Sequence, residues 1–252
     1  MVAFLSEDFD QLPEKQIAVS EDSTVYAQYA RPTTRYTHGI LGDVVEAGEL
    51  VVWREGTSYM HILSDQYVFE DIRPRLSDVD GDGQVKVIAI RAHVDKGAGI
   101  AIYKVVENAL SEFAWVEEIG RSSRWLNVAA IYDLDGDSTV ELAWIQTPHI
   151  GGILRVAKIE AGELTVLAEA SHYSNHAIGE INLCLSVVTQ SDNAITLYVP
   201  SQDRGSIADF RFFGGLLQNT ETIVQSVNFA RSLASQYDFA NVVQGGNNCV
   251  RP

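Results

Sequence analysis

Short apolar runs alternate with short polar turns along most of the chain. The clearest case is LNVAAIYD, TVELAWIQ, GILRVAKIE and LTVLAEA, separated by DGDS, PHIGG and AGE. Just before it come RPRLSD, VKVIAIRA, GIAIYKVV and EFAWVEEI. The runs are rich in Val, Ile, Ala, Tyr and Trp, and Gly, Asp, Asn and Pro lie between them, which predicts strands joined by tight turns. Val85, Val87 and Ala89 fall on one face of such a strand and Lys86, Ile88 and Ile90 on the other. Many runs are apolar on both faces, as expected of sheets covered by other sheets. No segment sustains a helical period. The best helical candidate is NFARSLASQYDFA, residues 228–240, with Phe229, Leu233 and Tyr237 at helical spacing.

The pattern repeats. DVDGDGQVKV begins at Asp78 and DLDGDSTVEL at Asp133, a step of about 55 residues. The same step reaches Val188 in LSVVTQSDNAITLYV and Val243 in ANVVQGGNNCV, and backwards it reaches Ser23 in IAVSEDSTVYAQY. Four-stranded units of this length repeated along a chain predict an all-β fold, a β-propeller in a single domain spanning 1–252. The repeats are placed at about 17–71, 72–126, 127–181 and 182–236, with a closing strand in 237–252. Four blades are expected, closed by FANVVQ (239–244) as inner strand of the blade containing TVYAQYA. Five blades, with the termini building the fifth, are the alternative, and a β-sandwich is a third option.

The aspartate turns suit a hard cation. Calcium takes six to eight oxygens at flexible geometry, and alternating aspartates in a tight turn converge on one point. In the third repeat Asp133, Asp135 and Asp137 hold positions one, three and five, Thr139 offers a backbone carbonyl at seven, and Glu141 supplies an acid at nine. In the second repeat Asp78, Asp80 and Asp82 are present, but position nine is Lys86, whose charge opposes a cation unless it points away. A calcium ion is expected in the first of these loops and a weaker or absent one in the second; an empty Asp-rich turn is the plainer alternative. The later turns, TQSDN with Asp192 alone in register and QGGNN, read as plain hairpins, as does SEDS at 20–23.

DVDGDGQVKVIAI and DLDGDSTVELAWI resemble the repeats of FG-GAP/VCBS proteins, whose propeller is similar to that of the integrin α-subunit head. PTTRYTHGILGD, 32–43, also resembles a segment of bacterial FG-GAP proteins. The resemblance implies a calcium-stapled propeller, often exported. It implies no single function, since relatives serve adhesion, recognition and occasionally catalysis.

A second register lies in the loops between second and third strands, THGIL, AHVDKGAGI, PHIGGIL and QDRGSIA. It places His38, His93, His149 and Arg204 at the repeat step, with a slip of one position between His93 and His149. The strand-four-to-one connections carry Arg121, Arg124, His172 and His176, expected on the same face. These residues either line a basic, imidazole-rich pocket that binds an anion or a transition metal, or stand apart as solvated turn residues. His61 reads as packing or surface, and Arg31 and Arg35 as an extension of the patch or as exposed. Trp53, Trp115 and Trp144 read as core, while Trp125, in a connection, stands out.

Charge narrows the partners. The chain has 34 acidic against 18 basic residues and a net charge of −16, which repels nucleic acid and anionic membranes. No apolar run is long enough to span a bilayer, so no membrane insertion is expected. MVAFLSEDFD lacks a basic region and a long apolar stretch, so as written it is no signal peptide. The two cysteines, Cys184 and Cys249, are read as buried thiols or, in an exported protein, as one disulfide. No Gly-x-Ser-x-Gly, phosphate loop or His-Glu-x-x-His is present, and no carboxylate pair stands out as acid and base. The expected role is a periplasmic or extracellular binding or scaffold module for a protein, glycan or small ligand. An enzyme or metal- or anion-binding protein using the histidine face is the alternative, and a structural subunit of a larger assembly a third.

Overall fold

A computed structural model describes residues 9–160, 162–183, 185–191, 194–223 and 242–245. Cys184, Cys249, Asp192 and the candidate helix 228–240 lie outside the described residues. The described chain is all-β, without a helix. Among the described residues no helix is therefore long and apolar enough to cross a membrane. Two compact units are formed, 1–78 with 82–125, and 126–252 with 79–81.

The first unit holds one nine-stranded sheet. β1 (Ile17–Val19), β2 (Val25–Thr33), β3 (Glu46–Arg54) and β4 (Thr57–Ile62) pair in sequence as antiparallel neighbours. β6 (Arg75–Ser77), β7 (Lys86–His93), β8 (Gly97–Val106) and β9 (Ala109–Val116) repeat that order. Between them β5 (Tyr67–Phe69) pairs with β3 at Ala47 and with β7 along Arg91 to His93, merging both repeats into one sheet. Leu50, Val52, Phe69, Val87, Ala89, Ala101 and Tyr103 form the core on one face. Ile88, Ile90 and Ile102, on the opposite pleat, are equally buried, so the doubly apolar pattern of VKVIAI reflects cover on both sides.

The second unit holds two sheets. β10 (Leu126–Tyr132), β11 (Glu141–Gln146), β12 (Ile153–Glu160) and β13 (Glu163–Ser171) make a four-stranded meander. β14 (Val187–Ser191), β15 (Ala194–Pro200), β16 (Ser206–Phe213) and β17 (Leu216–Ile223) make another, with β18 (Val242–Gly245) added beside β14. The two share a core of Ala143, Ile145, Leu154, Val156, Val188, Leu197, Val199 and Phe210. Burying each of the larger side chains contributes about 1.5–3 kcal/mol. The strand-three-to-four hairpins carry the same irregularity in consecutive repeats: a register shift at Ile102/Tyr103 and another at Val156/Ala157. An extra residue there sharpens the twist of each outer strand.

The four-strand repeat is thus present in four consecutive antiparallel meanders among the described residues. The expected closing contact is not. Residues 242–245 pair with β14, through Val187↔Gly245, Val188↔Gln244 and Thr189↔Val242. The free edge of β2 is already filled by β1, with Ile17↔Gln28, Ala18↔Ala27 and Val19↔Tyr26. A strand edge offers one row of amides and carbonyls, so β1 leaves no place for a second partner.

Candidate metal loops and a buried histidine–carboxylate pair

The two aspartate loops fold alike. Each connects the first and second strands of its meander, β6–β7 and β10–β11. The Asp78 carboxylate accepts from the Gly83 amide at 2.8 Å, and Asp133 accepts from Ser138 at 2.9 Å. Asp82 accepts from Gln84 and Asp137 from Thr139, both at 2.8 Å. These are the local side-chain-to-backbone bonds that make aspartate a turn former. They need a left-handed residue in the turn: Gly83 has φ +81°, and Ser138, at the matching place, has φ +71°. Carboxylate oxygens of Asp78, Asp80 and Asp82 lie within 4.8 Å of one another, and so do those of Asp133, Asp135 and Glu141.

The loops differ in what faces these acids. Lys86 does not point away. Its side chain is fully buried, and Nζ pairs with Asp78 at 3.1 Å and with Asp82. That ammonium meets the charge of the aspartates, so a cation held by Asp78, Asp80 and Asp82 would have to displace it. Lys104, next to Tyr103 on the neighbouring strand, lies over the Phe113 ring instead, 4.2 Å from its centroid. In the third repeat position nine is the buried Glu141, whose Oε2 accepts from the Leu134 amide at 2.6 Å. Its cross-strand partner is Lys158, through Glu141↔Lys158. Lys158 Nζ reaches Glu141 at 3.0 Å, Asp137 at 2.6 Å and Asp135 at 3.5 Å. Three carboxylates meet one ammonium here, with Asp133 beside them, so a hard divalent cation fits the donor set once Lys158 is displaced. The Lys158 hydrogen bond, with the Thr139 amide behind it, pushes Asp137 down to about 2. Burial raises Glu141, against the pull of Lys158 and the Leu134 amide. Burial works against the charge on Lys158, but its contacts with Asp137 and Glu141 prevail and hold it above the ordinary lysine range.

The second register does not resolve into one kind of residue. His93 Nδ1 accepts from the Asp95 amide of its own turn at 3.0 Å and packs edge-on against Tyr67. His149 and Arg204 both meet His176: His149 Nε2 lies 2.9 Å from His176 Nδ1, and Arg204 donates to the His176 carbonyl at 3.0 Å. His176 Nε2 in turn donates to the Glu180 carbonyl at 2.6 Å. Burial, with Arg204 nearby, pushes His176 down to about 4, so it is neutral. His172 contributes its backbone, the carbonyl accepting from Gln202 at 2.7 Å. His61 packs on Tyr103, and Arg35 donates to the Tyr67 carbonyl. Trp125 and Trp144 are core, whereas Trp115 is half exposed.

His38 has the most unusual partner. Its Nδ1 lies 2.6 Å from Oε1 of Glu70, a fully buried carboxyl. The Trp125 indole donates to the Glu70 carbonyl at 2.9 Å and holds that residue in place. Glu46, Asp71 and Arg75 are also buried, with Arg75 paired to Asp71. Burial, then Glu70 and the neighbouring acids, pushes Glu46 up to about 10. Burial and Asp71 raise Glu70 well above the carboxylate range. Burial also raises Asp71, opposed by Arg75, and lowers His38, to which Arg124 adds. Sequence reasoning passed over Glu70 and Asp71, although charges inside the apolar stretch YVFEDI are a signal. A second signal was the frame itself: Glu70, Trp125 and Glu180 are separated by the same repeat step.

No family model and no curated protein matches the chain. Solved structures do. They include a candidate 6-phosphogluconolactonase from Bacteroides fragilis, at 15% identity and TM-score 0.45 over 84% of this chain and 57% of that one. They also include the exotype rhamnogalacturonan lyase YesX, at 13% identity and TM-score 0.39 over 84% of this chain and 50% of that one. The chain therefore spans only about half the length of these two proteins. Likenesses this distant transfer no activity. The FG-GAP/VCBS resemblance rests on sequence motifs alone.

Proposed function

We propose that this chain is a calcium-stabilised β-propeller of four blades, acting outside the cytoplasm as a binding or scaffold module for a protein, glycan or small ligand. Four consecutive meanders with a common period support the blade reading. The observation that carries the calcium reading is the convergence of Asp133, Asp135 and Glu141 in the β10–β11 hairpin. Asp133, Asp135, Asp137, Glu141 and the Thr139 carbonyl are the proposed ligands. The ion neutralises a turn whose carboxylates otherwise repel, and its binding energy adds to folding.

Extracellular calcium modules bind with a Kd of roughly 10⁻⁴ to 10⁻³ M. At about 10 mM calcium that stabilises the fold by about 1.4 to 2.7 kcal/mol. Thermal melts in calcium and in chelator test this. The expected result is a higher Tm in calcium, abolished by Asp135→Asn, unaffected by Asp80→Asn and enlarged by Lys158→Met. A Tm indifferent to calcium in both the native chain and Lys158→Met would sink the calcium reading.

The second reading, an enzyme or a transition-metal- or anion-binding protein, draws on the His149–His176 contact beside Arg204. Zinc binding lost in His149→Gln would favour it, and the absence of binding heat on zinc titration would remove its metal branch.

A further inference from the structure

The segment 34–45 is far longer than the hairpin turn two antiparallel strands need, and it is anchored at three points. Arg35 donates to the Tyr67 carbonyl, the Tyr36 hydroxyl accepts from the Ser123 amide at 3.0 Å, and His38 meets Glu70. Tyr36 packs edge-on against His38, their rings 5.9 Å apart. Segment 34–45 and the 120–125 connection, which ends in Arg124 and Trp125, are thus bound together around one carboxyl.

The pair at its centre is asymmetric. The Glu70 side chain is fully buried, and its Oε2 has no hydrogen-bond partner among the described residues. The His38 side chain keeps 15% of its surface open to solvent. Glu70 occupies Nδ1, so Nε2 is the nitrogen left to meet anything that enters. Glu46 and Asp71, the acids that act on Glu70, are themselves buried, whereas Arg124 is half-buried and donates through Nη1 to the carbonyl of Ser123, the residue whose amide donates to the Tyr36 hydroxyl.

We propose that His38 and Glu70 form a proton-sharing dyad that binds a small oxyanion, a carboxylate or phosphate group, through Nε2–H of His38 with Arg124 as the second cationic donor. Burial, with Asp71 beside it, favours the protonated form of Glu70, and burial, with Arg124 nearby, favours the neutral form of His38. The carboxyl proton then has one acceptor in reach, His38 Nδ1, which leaves the imidazole proton on Nε2. Arrival of an anion at Nε2–H makes the imidazolium favourable. The proton moves from Glu70 Oε1 to Nδ1, and an anion–imidazolium–carboxylate row replaces the neutral pair. No proton is taken from solvent and no bond other than O–H and N–H changes. The glutamate is a proton reservoir, and only His38 and Arg124 touch the ligand.

The dyad is independent of the calcium loop, and a titration in excess chelator keeps the two apart. The native chain with ¹⁵N-labelled histidine is titrated at neutral pH with inorganic phosphate and, separately, with acetate. His38 is identified by its absence in His38→Gln. A saturable change of His38 from the Nε2–H tautomer to imidazolium is expected with at least one probe. Arg124→Gln should weaken it about tenfold. Glu70→Gln, which still donates to Nδ1 but has no acidic proton to give, should leave His38 neutral at every anion concentration. If Glu70→Gln does not fold, Arg124→Gln, on a half-buried side chain, carries the test. A His38 signal unmoved by both anions overturns the proposal, as does an imidazolium shift that Arg124→Gln leaves intact.

Discussion

The loops at 78–86 and 133–141 share turn geometry, hydrogen bonds and three aspartates, yet they hold their charges together by different means. In the earlier loop the ninth residue is Lys86, and its buried ammonium sits among the acids. In the later one the ninth residue is Glu141, and the ammonium comes from Lys158, across the sheet. One loop carries its counter-ion within its own turn. The other borrows its lysine from the neighbouring strand. An Asp-x-Asp-Gly-Asp turn therefore specifies a demand for positive charge and leaves the source open: here it is a lysine of the same turn in one case and a lysine of the neighbouring strand in the other.

The two loops should diverge most on substitution of Lys86. Lys86→Met leaves three carboxylates facing a buried apolar side chain, and the cost should be roughly 3 kcal/mol in chelator. Calcium should restore part of it, since the variant turns the earlier loop into an open acid cluster. Chemical denaturation in calcium and in chelator measures both. If stability is unchanged, the ammonium is not what holds this turn.

A smaller effect separates the turn residues. Ser138 adopts φ +71° where its counterpart Gly83 adopts φ +81°. A side chain in that region costs about 1 kcal/mol, so Ser138→Gly should raise stability by about that amount while Gly83→Ser lowers it. Equal and opposite shifts in the denaturation midpoint are the expected outcome.

The smallest is electrostatic. Asp137 titrates at about 2 when folded, below its ordinary value. Its contribution is complete above pH ~4 and is lost as pH falls through about 2. The group is exposed and screened by solvent, so the contribution is the weakest of the three. Asp137→Asn should flatten the acid limb of the stability curve from about pH 4 down to about pH 2.

The meanders were legible because their strands are apolar and their turns carry aspartate, glycine and asparagine at fixed steps. LNVAAIYD, TVELAWIQ, GILRVAKIE and LTVLAEA became β10 to β13 within a residue or two at each end. Contacts that depend on register were not legible. Lys158 lies far beyond Glu141 in sequence and becomes its neighbour only through the pairing of β11 with β12. Position nine was legible as a lysine, but not its direction, because burial of the Lys86 stem aims the ammonium into the turn. The pairing of residues 242–245 was misread because the frame said which strands resemble one another, and not which edges were already filled. His38 was selected for its spacing from His93, yet the two do different work: one caps its own turn and the other faces a buried acid that no periodicity marked.

β5 is three residues long, and it hydrogen-bonds to strands of two successive repeats. Repeat chains ordinarily grow and shrink by copying or losing one module. Here the first module cannot be copied without its bridge to the second, and the second cannot be lost without exposing an edge of the first. The heritable unit in this half of the gene is the pair. A shorter bridge of the same kind joins the third and fourth meanders, through Tyr173↔Ser201 with Gln202 donating to the His172 carbonyl at 2.7 Å and Ser174 to the Pro200 carbonyl at 2.9 Å, so length variation among descendants of this sequence should come in pairs of meanders.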